Sequence, residues 1–227
     1  MNFEKKSCKC CNFPLENDFI IKNKIYFFCK NCNSIFLSDE FFLTSENQVN
    51  RYLLHNNTLE DKNYKNYLEK FINRVLEFVN LEKIDFLDYG SGPNPCLVEL
   101  IKEKFFNFNK IDGWDLFFTK DFFPKENSYS LITCLEVAEH FENPQESFRH
   151  ISSLLKKDGF LAIQTQFFEC DENITKTEKK FATWWYKEDT THVTFYSKEG
   201  LISCCKSFGL KFLTQLDKNL VIFTKID

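Results

Sequence analysis

The chain has 227 residues, of which 43% are hydrophobic, and a net charge of −4. Its length fits one medium-sized domain with a small added module, and no run of about 18 uncharged apolar residues that could span a membrane occurs in it. The N-terminal stretch lacks the apolar centre of a signal peptide, so we expect a cytoplasmic protein, and the acidic balance offers no bulk attraction for nucleic acid or an anionic membrane.

Four of the ten cysteines form two C-x-x-C pairs: Cys8 with Cys11, and Cys29 with Cys32. Each such turn can direct two thiolates at one ion, and two turns complete a closed tetrahedral zinc site of structural type. The segment between the pairs, "IIKNKIYFFC", predicts a β-hairpin that turns near Asn23. We therefore predict a zinc ribbon over residues 1–40. Four reduced thiols without metal are the alternative, and Cys10 could replace Cys8 as a ligand.

Residues 41–82 are interpreted as a linker and lid followed by a helix. The polar, mixed segment that follows Cys32 predicts no regular element. The next segment, "YKNYLEKFINRVLEFVN", predicts a helix because its apolar residues recur at helical spacing. These residues are Tyr67, Leu68, Phe71, Ile72, Val75, Leu76 and Val79.

From residue 83 to residue 227, short apolar strands alternate with amphipathic helices. The predicted strands are "DFLDY", "KIDGWDL", "SLITCLEV", "LAIQTQFF", "KFLTQL" and "NLVIFTKI". The predicted helices are "PCLVELIKEKF", "PQESFRHISSLL" and "SKEGLISCCKSF", with a turn at "KKDGF". This alternation predicts an α/β fold with a Rossmann-like, doubly wound sheet. Ligands of such sheets bind beyond the carboxyl ends of the strands.

The segment "DYGSGPNP" places two glycines, Gly90 and Gly92, at the end of the first of these strands. Glycines in that position allow a tight turn against a nucleotide ligand. The nicotinamide fingerprint requires a third glycine where this chain has Pro95. A P-loop is excluded because no G-K-[ST] follows the turn.

Four segments resemble motifs of one known family in the right order. "FLDYGSGPNP" resembles the first motif of class I S-adenosylmethionine-dependent methyltransferases, and "GWDLFF" resembles the motif of their second strand. "ITCLEVAEHFENP" is similar to the E-V-x-E-H motif of the branch that contains quinone and small-molecule methylases. "WWYKEDTTHVTFYSKEGL" resembles a segment of a bacterial subgroup that also has an N-terminal zinc ribbon.

This resemblance implies a set of cofactor-binding residues: Asp88, Gly90, Ser91, Gly92, Asp115, Leu116 and Glu136. Asp115 would accept hydrogen bonds from the ribose hydroxyls. Gly90 and Gly92 would let the main chain approach the methionine part of the cofactor. Asp88 would accept from the backbone or, through water, from the cofactor ammonium, although it could simply fix the turn.

The chain departs from the family pattern in two places. Asn94 replaces the third glycine of the first motif, and we expect it to adopt the left-handed conformation that asparagine tolerates. Only the 14 residues "LFFTKDFFPKENSY", 116–129, lie between Asp115 and the strand that corresponds to the fourth strand of the family. The family's third strand and its helix are therefore expected to be shortened or missing. The usual adenine contact is then lost. Asp121 is a poor replacement, whereas Phe117 or Phe118 could stack on the purine.

Two histidines are candidate bases for a methyl acceptor that must lose a proton. His140 is the first, because it follows a strand end that faces the cofactor, although it could instead fix its loop. His192 is the second, with Asp189 close enough in sequence to orient its imidazole. The "TWWY" segment, Trp184–Tyr186, could wall the acceptor or cap the sheet edge.

These observations predict a methyltransferase that uses S-adenosylmethionine, contains structural zinc and acts on a small molecule. An RNA substrate is disfavoured because no basic stripe occurs. The rival prediction is a non-catalytic zinc-ribbon binding protein whose methyltransferase fold has degenerated. The oligomeric state is not predicted.

Overall fold

A computed structural model describes residues 6–54, 57–171 and 173–226. The outermost residues of the predicted ribbon and methyltransferase ranges, 1–5 and 227, lie outside the described residues. The strands are β1 (Asn17–Ile21), β2 (Lys24–Phe28), β3 (Ile35–Leu37), β4 (Ile84–Tyr89), β5 (Phe108–Trp114), β6 (Tyr129–Leu135), β7 (Leu155–Gln164), β8 (Thr194–Phe195), β9 (Leu210–Asp217) and β10 (Leu220–Lys225). The helices are α1 (Ser45–Tyr52), α2 (Lys62–Val79), α3 (Cys96–Lys104), α4 (Pro144–Leu154), α5 (Ile174–Ala182) and α6 (Lys198–Lys206).

The larger sheet has the strand order β5-β4-β6-β7-β10-β9. Strands β5, β4, β6 and β7 are parallel. Strand β10 runs antiparallel to both of its neighbours, β7 and β9, so β9 points in the same direction as the four parallel strands. Helices α2 and α3 pack on one face, and α4 and α6 pack on the other. The chain leaves β4 towards one edge and returns to the other side at β6, so the strand order reverses between these two strands. The predicted Rossmann-like, doubly wound sheet is confirmed.

The third strand of the resembled family is absent from this sheet. The chain runs from β5 to β6 through residues 115–128, and this described segment contains no strand. A parallel crossover needs a dozen or more residues for its connection alone, so the segment is too short for a helix and another strand. Strand β5 is therefore the outer strand, and none of its residues is fully buried.

The smaller sheet has the order β1-β2-β3-β8. Strands β1 and β2 form the predicted hairpin, which turns through Lys22 and Asn23 at φ 49° and 64°. Two successive left-handed residues are typical of a type I′ turn, whose twist matches that of the strands. Strand β3 pairs with β8, so Ile35 lies opposite Phe195. The predicted ribbon is thus joined by backbone hydrogen bonds to a segment that follows β7 and α5 in the chain.

The segment after Cys32, for which no regular element is predicted, contains β3 in the ribbon range and α1 in the linker range. Strand β3 has only three residues and no alternation of polar and apolar side chains, so it leaves no pattern to detect. Helix α1, "SENQVNRY", buries only Gln48 and therefore has no apolar stripe. Thr44 begins this helix by accepting a hydrogen bond from the Asn47 amide at 3.4 Å.

Two further differences concern exposed segments. Helix α5 was not predicted because it buries only Thr177 and Phe181. The predicted turn at "KKDGF" instead lies within strand β7, where Asp158 has a left-handed φ of 59°. In helix α2 the predicted stripe is buried except for Leu76, which is half-buried, and Tyr67, which is 37% exposed.

Candidate active site

A cavity of about 1070 Å³ opens beyond the carboxyl ends of β4, β5 and β6. It can hold a nucleoside cofactor together with a second small molecule. All the predicted cofactor-binding and catalytic residues line it: Asp88, Gly90, Ser91, Gly92, Asp115, Leu116, Glu136, His140, Asp189 and His192. We call Gly90–Asn94 with Asp115–Phe118 the glycine-turn side, and Glu139, His140, Asp189 and His192 the histidine side.

The glycine turn hydrogen-bonds to the end of strand β5. The amides of Gly90 and Ser91 donate to the Trp114 carbonyl at 2.7 and 3.1 Å. Gly90 and Gly92 are left-handed, with φ of 84° and 68°, a conformation that glycine adopts without the steric cost of a Cβ atom. A Cβ atom on Gly92 would meet nothing within 4 Å, whereas one on Gly90 would collide with Val137. The absence of a side chain at Gly92 therefore leaves open space in the cavity, whereas the space beside Gly90 is occupied by the Val137 side chain.

The expectation that Asn94 adopts a left-handed conformation is wrong, because its φ is not positive. A residue before proline is driven towards extended conformations, and Asn94 precedes Pro95. The turn closes without a third left-handed residue. The Asn94 carbonyl accepts a hydrogen bond from the Cys96 amide at 2.7 Å.

Asp115 holds the glycine turn and its own loop together. Its Oδ2 accepts from the Gly92 amide at 3.0 Å, and its Oδ1 accepts from the Phe117 and Phe118 amides at 2.8 and 3.2 Å. A carboxylate has about four acceptor positions, so three are occupied by backbone amides. The remaining position is on Oδ2, where a ribose hydroxyl would bind beside the Gly92 amide.

The neighbours of Asp115 differ in exposure. Leu116 is 72% exposed at the rim. The rings of Phe117 and Phe118 line the cavity with their centroids 6.5 Å apart. Asp121 is exposed and does not line the cavity. Of the three residues considered for the adenine contact, Phe117 and Phe118 line the cavity and Asp121 does not.

Asp88 is buried below the glycine turn. Its Oδ1 accepts a hydrogen bond from the Thr133 hydroxyl at 2.8 Å across the parallel pair β4 and β6. Burial raises the pKa of Asp88 to about 7, even though the Thr133 hydrogen bond opposes the shift. Near neutral pH this carboxyl group is therefore divided between its protonated and charged forms.

Glu136 lies between the two sides of the cavity in a left-handed conformation with φ 52°. Its carboxylate accepts from the Tyr186 hydroxyl at 3.1 Å and from the Gln164 amide at 3.5 Å. Burial, followed by the charge of Glu139, raises the pKa of Glu136 to about 8. In the ligand-free protein this carboxyl group is mostly protonated at pH 7.

On the histidine side, two imidazoles face one buried carboxylate. The ring centroids of His140 and His192 lie 4.8 Å apart. Glu139 is 1% exposed, and its Oε2 accepts from the Thr165 hydroxyl at 2.8 Å. Its Oε1 lies 4.0 Å from His192 Nε2. This buried oxygen has no hydrogen-bond partner among the described residues.

Backbone carbonyls set the orientation of both imidazoles. His140 Nδ1 lies 3.0 Å from the Thr191 carbonyl oxygen, and His192 Nδ1 lies 2.7 Å from that of Tyr186. Because a carbonyl can only accept, each Nδ1 carries a hydrogen, and the lone pair of each neutral ring is on Nε2. Burial lowers the pKa of His192, which favours its neutral form.

The predicted pairing of Asp189 with His192 is wrong. Asp189 instead accepts from Arg51 at 2.7 Å and from the amide and hydroxyl of Thr191 at 3.0 and 2.6 Å. Burial alone would raise the pKa of Asp189, but these hydrogen bonds outweigh it and hold the pKa well below its usual range. Arg51, on helix α1, was missed because its helix has no apolar pattern that would indicate a packed element.

The aromatic segment Trp184–Tyr186 divides between two roles. Trp185 is 67% exposed at the cavity rim, and Tyr186 lies buried beneath it. Trp184 packs away from the cavity against Phe168, with the centroids 5.1 Å apart. Trp185 and Tyr186 thus form part of the cavity wall, as one interpretation predicts, whereas Trp184 packs outside the cavity, as the other predicts.

The four paired cysteines meet in the smaller module. The Sγ atoms of Cys8 and Cys32 lie 3.5 Å apart, and those of Cys11 and Cys29 lie 3.6 Å apart. All four sulfurs are within 4.8 Å of one another. Tetrahedral zinc with Zn–S bonds of about 2.3 Å needs sulfurs roughly 3.8 Å apart, so the arrangement fits that ion. Cys10 is buried outside this group.

Comparison with known proteins identifies the family. A family model described as a methyltransferase domain matches residues 61–215, more than half of the chain. The chain belongs to this methyltransferase family. Its family match and strand order make it a class I S-adenosylmethionine-dependent methyltransferase. No curated protein matches its sequence.

Two solved structures share the fold of this methyltransferase. One is 1,6-didemethyltoxoflavin-N1-methyltransferase from Burkholderia thailandensis, with a TM-score of 0.52 and 8% identity over 93% of this chain and 100% of that chain. The other comes from the complex of the Haloferax volcanii Trm112 methyltransferase activator and a methyltransferase, with a TM-score of 0.51 and 12% identity over 74% of this chain and 96% of that chain. At these identities the likeness concerns the fold alone.

No described helix combines the length and the continuous apolar character that a membrane-spanning helix requires.

Proposed function

We propose that this methyltransferase transfers the methyl group of S-adenosylmethionine to a small molecule bound on the histidine side of the cavity. One observation carries the proposal: the glycine-turn side and the histidine side line one continuous cavity. A donor on the first side and an acceptor on the second would therefore meet without a rearrangement of the sheet. We also assign the chain to the E-V-x-E-H branch of small-molecule methylases.

The residues of the glycine-turn side fit the cofactor. Gly92 leaves open space beside its backbone, and Asp115 keeps an acceptor position for a ribose hydroxyl. The rings of Phe117 and Phe118 offer faces on which a purine can stack. Asp88 would accept from the cofactor ammonium, whose positive charge would favour the charged form of this carboxyl group.

When bound, S-adenosylmethionine supplies a methyl group already activated by a positively charged sulfonium. The chain then has to align the acceptor with that methyl group and exclude water. Trp185 and Tyr186 cover the acceptor end of the cavity. If the acceptor is a hydroxyl, His140 is the first candidate to accept its proton, because the lone pair of the neutral ring is on Nε2. His192 is the second candidate, whereas Asp189 acts by holding Arg51 and Thr191.

The charge of the cavity favours a small acceptor over RNA. Its acidic lining residues are Asp88, Asp115, Glu136, Glu139, Glu142, Glu146, Glu188 and Asp189. Among the described residues, Arg51 is the one arginine that lines it, and no lysine does. Such a surface attracts the cationic cofactor and repels a phosphate backbone.

We assign the four paired cysteines to a structural zinc ion. A closed site of four sulfurs has no open position for a substrate. Its contribution would be to fix the two C-x-x-C turns of a module whose apolar side chains pack against α5 and β8. The division into a ribbon over 1–40, a linker with helix over 41–82 and a methyltransferase domain over 83–227 remains our proposal.

Isothermal titration of the full chain with S-adenosylmethionine tests the function. We expect one binding site with a micromolar dissociation constant. No binding at millimolar cofactor would overturn the proposal and favour the non-catalytic alternative. A preparation that binds the cofactor would then be incubated with a labelled methyl donor and a metabolite extract. Labelling in the RNA fraction alone would overturn the small-molecule assignment.

A further inference from the structure

We propose that Glu139, His140 and His192 bind one divalent transition-metal ion, separate from the ribbon, which positions a hydroxyl acceptor for methylation. This inference rests on the proposed function, because the site lines the acceptor part of the same cavity. The three residues each offer one ligand atom, and these atoms lie within 4.8 Å of one another. Ligands about 2.0–2.2 Å from one ion lie up to roughly 4.4 Å apart, so small side-chain movements would close the site.

The state of Glu139 is the first independent observation that indicates a missing ligand. Its side chain is 1% exposed, and Oε1 has no hydrogen-bond partner in the described residues. A buried acceptor without a partner destabilises a protein unless something else binds it. Thr165 satisfies Oε2 and thereby directs Oε1 towards His192. A cation between these groups would supply the missing interaction.

The orientation of the imidazoles is the second observation. Histidines that bind metals usually donate their other ring hydrogen to a carbonyl or carboxylate, which fixes the lone pair on the metal side. His140 and His192 both have this arrangement, with Nδ1 held by the carbonyls of Thr191 and Tyr186. A histidine that only fixed a loop would not need a second ring, also held through Nδ1 by a carbonyl, with its centroid 4.8 Å away.

The ligand chemistry selects the class of ion. Magnesium and calcium prefer sites made of oxygen atoms. Two imidazole nitrogens and one carboxylate oxygen suit manganese, iron, cobalt, nickel or zinc in the divalent state. Three protein ligands leave positions open for an acceptor oxygen. The four-sulfur ribbon site is closed and softer, so the two sites differ in both role and spectroscopic signature.

The proposed step is a displacement without a change of oxidation state. The acceptor hydroxyl binds the ion, which lowers the pKa of the hydroxyl, and its proton passes to water. The oxygen then forms a bond to the methyl carbon while the carbon–sulfur bond breaks. The bonding electron pair stays on sulfur, and the products are a methyl ether and neutral S-adenosylhomocysteine.

Cobalt titration of the full chain tests the site, because cobalt(II) reports its ligands by visible absorption. The protein is prepared with zinc in the ribbon and titrated with Co²⁺. We expect one Co²⁺ per chain, with the weak bands of nitrogen and oxygen ligands and without thiolate charge-transfer absorption. Glu139→Gln and His192→Ala should each weaken this binding more than about tenfold. The matched control is His150→Ala, since His150 lines the same cavity but its Nδ1 contacts the Tyr89 hydroxyl.

The outcomes separate this inference from the proposed function. No bound cobalt, cobalt with thiolate absorption only, or binding equal in the wild type and both ligand variants would overturn the metal site. Each variant is also titrated with S-adenosylmethionine to verify its fold, and His140→Gln serves if either variant fails to fold. Cofactor binding without cobalt binding would remove the metal and leave the methyltransferase with a histidine base. Cobalt binding without cofactor binding would remove the proposed function and leave the metal site.

Discussion

The two sides of the cavity are assembled over different distances along the chain. On the glycine-turn side, Asp115 reaches Gly92 across 23 residues. On the histidine side, His140 and Thr191 are 51 residues apart, and Arg51 reaches Asp189 across 138 residues. The first side is a local product of two neighbouring strands. The second exists only after distant parts of the chain have packed together.

The two sides also differ in how completely their polar groups are satisfied. The amides of Gly90 and Ser91 donate to the Trp114 carbonyl. Three backbone amides donate to the Asp115 carboxylate, which keeps one acceptor position, so that side is already ordered for its ligand. The histidine side contains the unpartnered Oε1 of Glu139. The difference teaches that a preformed binding turn and a site that awaits a ligand can share one cavity.

Among the variants that test this difference between the two sides, we expect the largest effect from Cys32→Ser. Loss of the zinc site should disorder strand β3, which pairs with β8 beside His192. We expect zinc content to fall from one ion per chain and the melting temperature to fall by about 10 °C or more. S-adenosylmethionine binding should persist at low temperature. Mass spectrometry of metal content and calorimetry measure these changes.

The control for this variant is Cys10→Ser, a buried cysteine of the first C-x-x-C turn that lies outside the sulfur group. It should keep its zinc. Loss of zinc from this control would mean that Cys10 replaces Cys8 as a ligand. An unchanged melting temperature in Cys32→Ser would contradict the structural role of the zinc site.

The glycine-turn side alone should respond to Asp115→Ala. Removal of the carboxylate frees the amides of Gly92, Phe117 and Phe118 and removes the ribose acceptor. Charge-assisted hydrogen bonds contribute about 1.5–3 kcal/mol each, so we expect cofactor affinity to fall by about 100-fold. Calorimetric titration measures the loss. Asp121→Ala, an exposed aspartate of the same loop, should bind like the wild type, and so should His140→Ala. Normal cofactor binding by Asp115→Ala would refute the ribose assignment.

The smallest effect concerns Glu136, which lies where the two sides meet. Its pKa is about 8 in the folded protein against an ordinary value of 4.5. A carboxyl group with a raised pKa binds its proton more tightly when folded, so its contribution to stability is present below pH 4.5 and is lost as the pH rises through 8. Wild-type stability should therefore fall over that window, and Glu136→Gln should flatten the fall by about 1–2 kcal/mol.

Urea unfolding in acidic and in mildly alkaline buffer measures this difference. Glu77→Gln, an exposed glutamate of helix α2, should retain the wild-type pH dependence. Equal slopes for Glu136→Gln and the wild type would show that Glu136 titrates near its ordinary pKa.

The sequence predicted what depends on neighbouring residues. The six strands of the larger sheet, the loss of the third strand and the β1–β2 hairpin each follow from periodicity, length or turn chemistry within a short window. The glycine turn also belongs to this group, although the local effect of Pro95 on Asn94 was overlooked.

The histidine side was predicted only as a set of candidates. Residue types and motif order selected His140 and His192. Nothing near Asp189 in the sequence indicates that Arg51 will take its carboxylate, so the pairing with His192 failed. The isolation of Glu139 Oε1 is also a property of tertiary packing and leaves no pattern along the chain. Strand β3 and helix α1 escaped prediction because tertiary contacts, rather than their own periodicity, stabilise them.

The pairing of β3 with β8 has a consequence for the order of events on the ribosome. A growing chain releases the cysteine pairs first, so the ribbon hairpin can bind its metal while most of the protein is still unmade. Strand β3 must then wait as an unprotected edge until residue 195 emerges, on the order of ten seconds later at typical synthesis speeds. Nascent chains of this enzyme therefore lack the β8 partner of this edge for most of their synthesis, and the three-residue length of β3 limits the edge-to-edge pairing that could occur meanwhile.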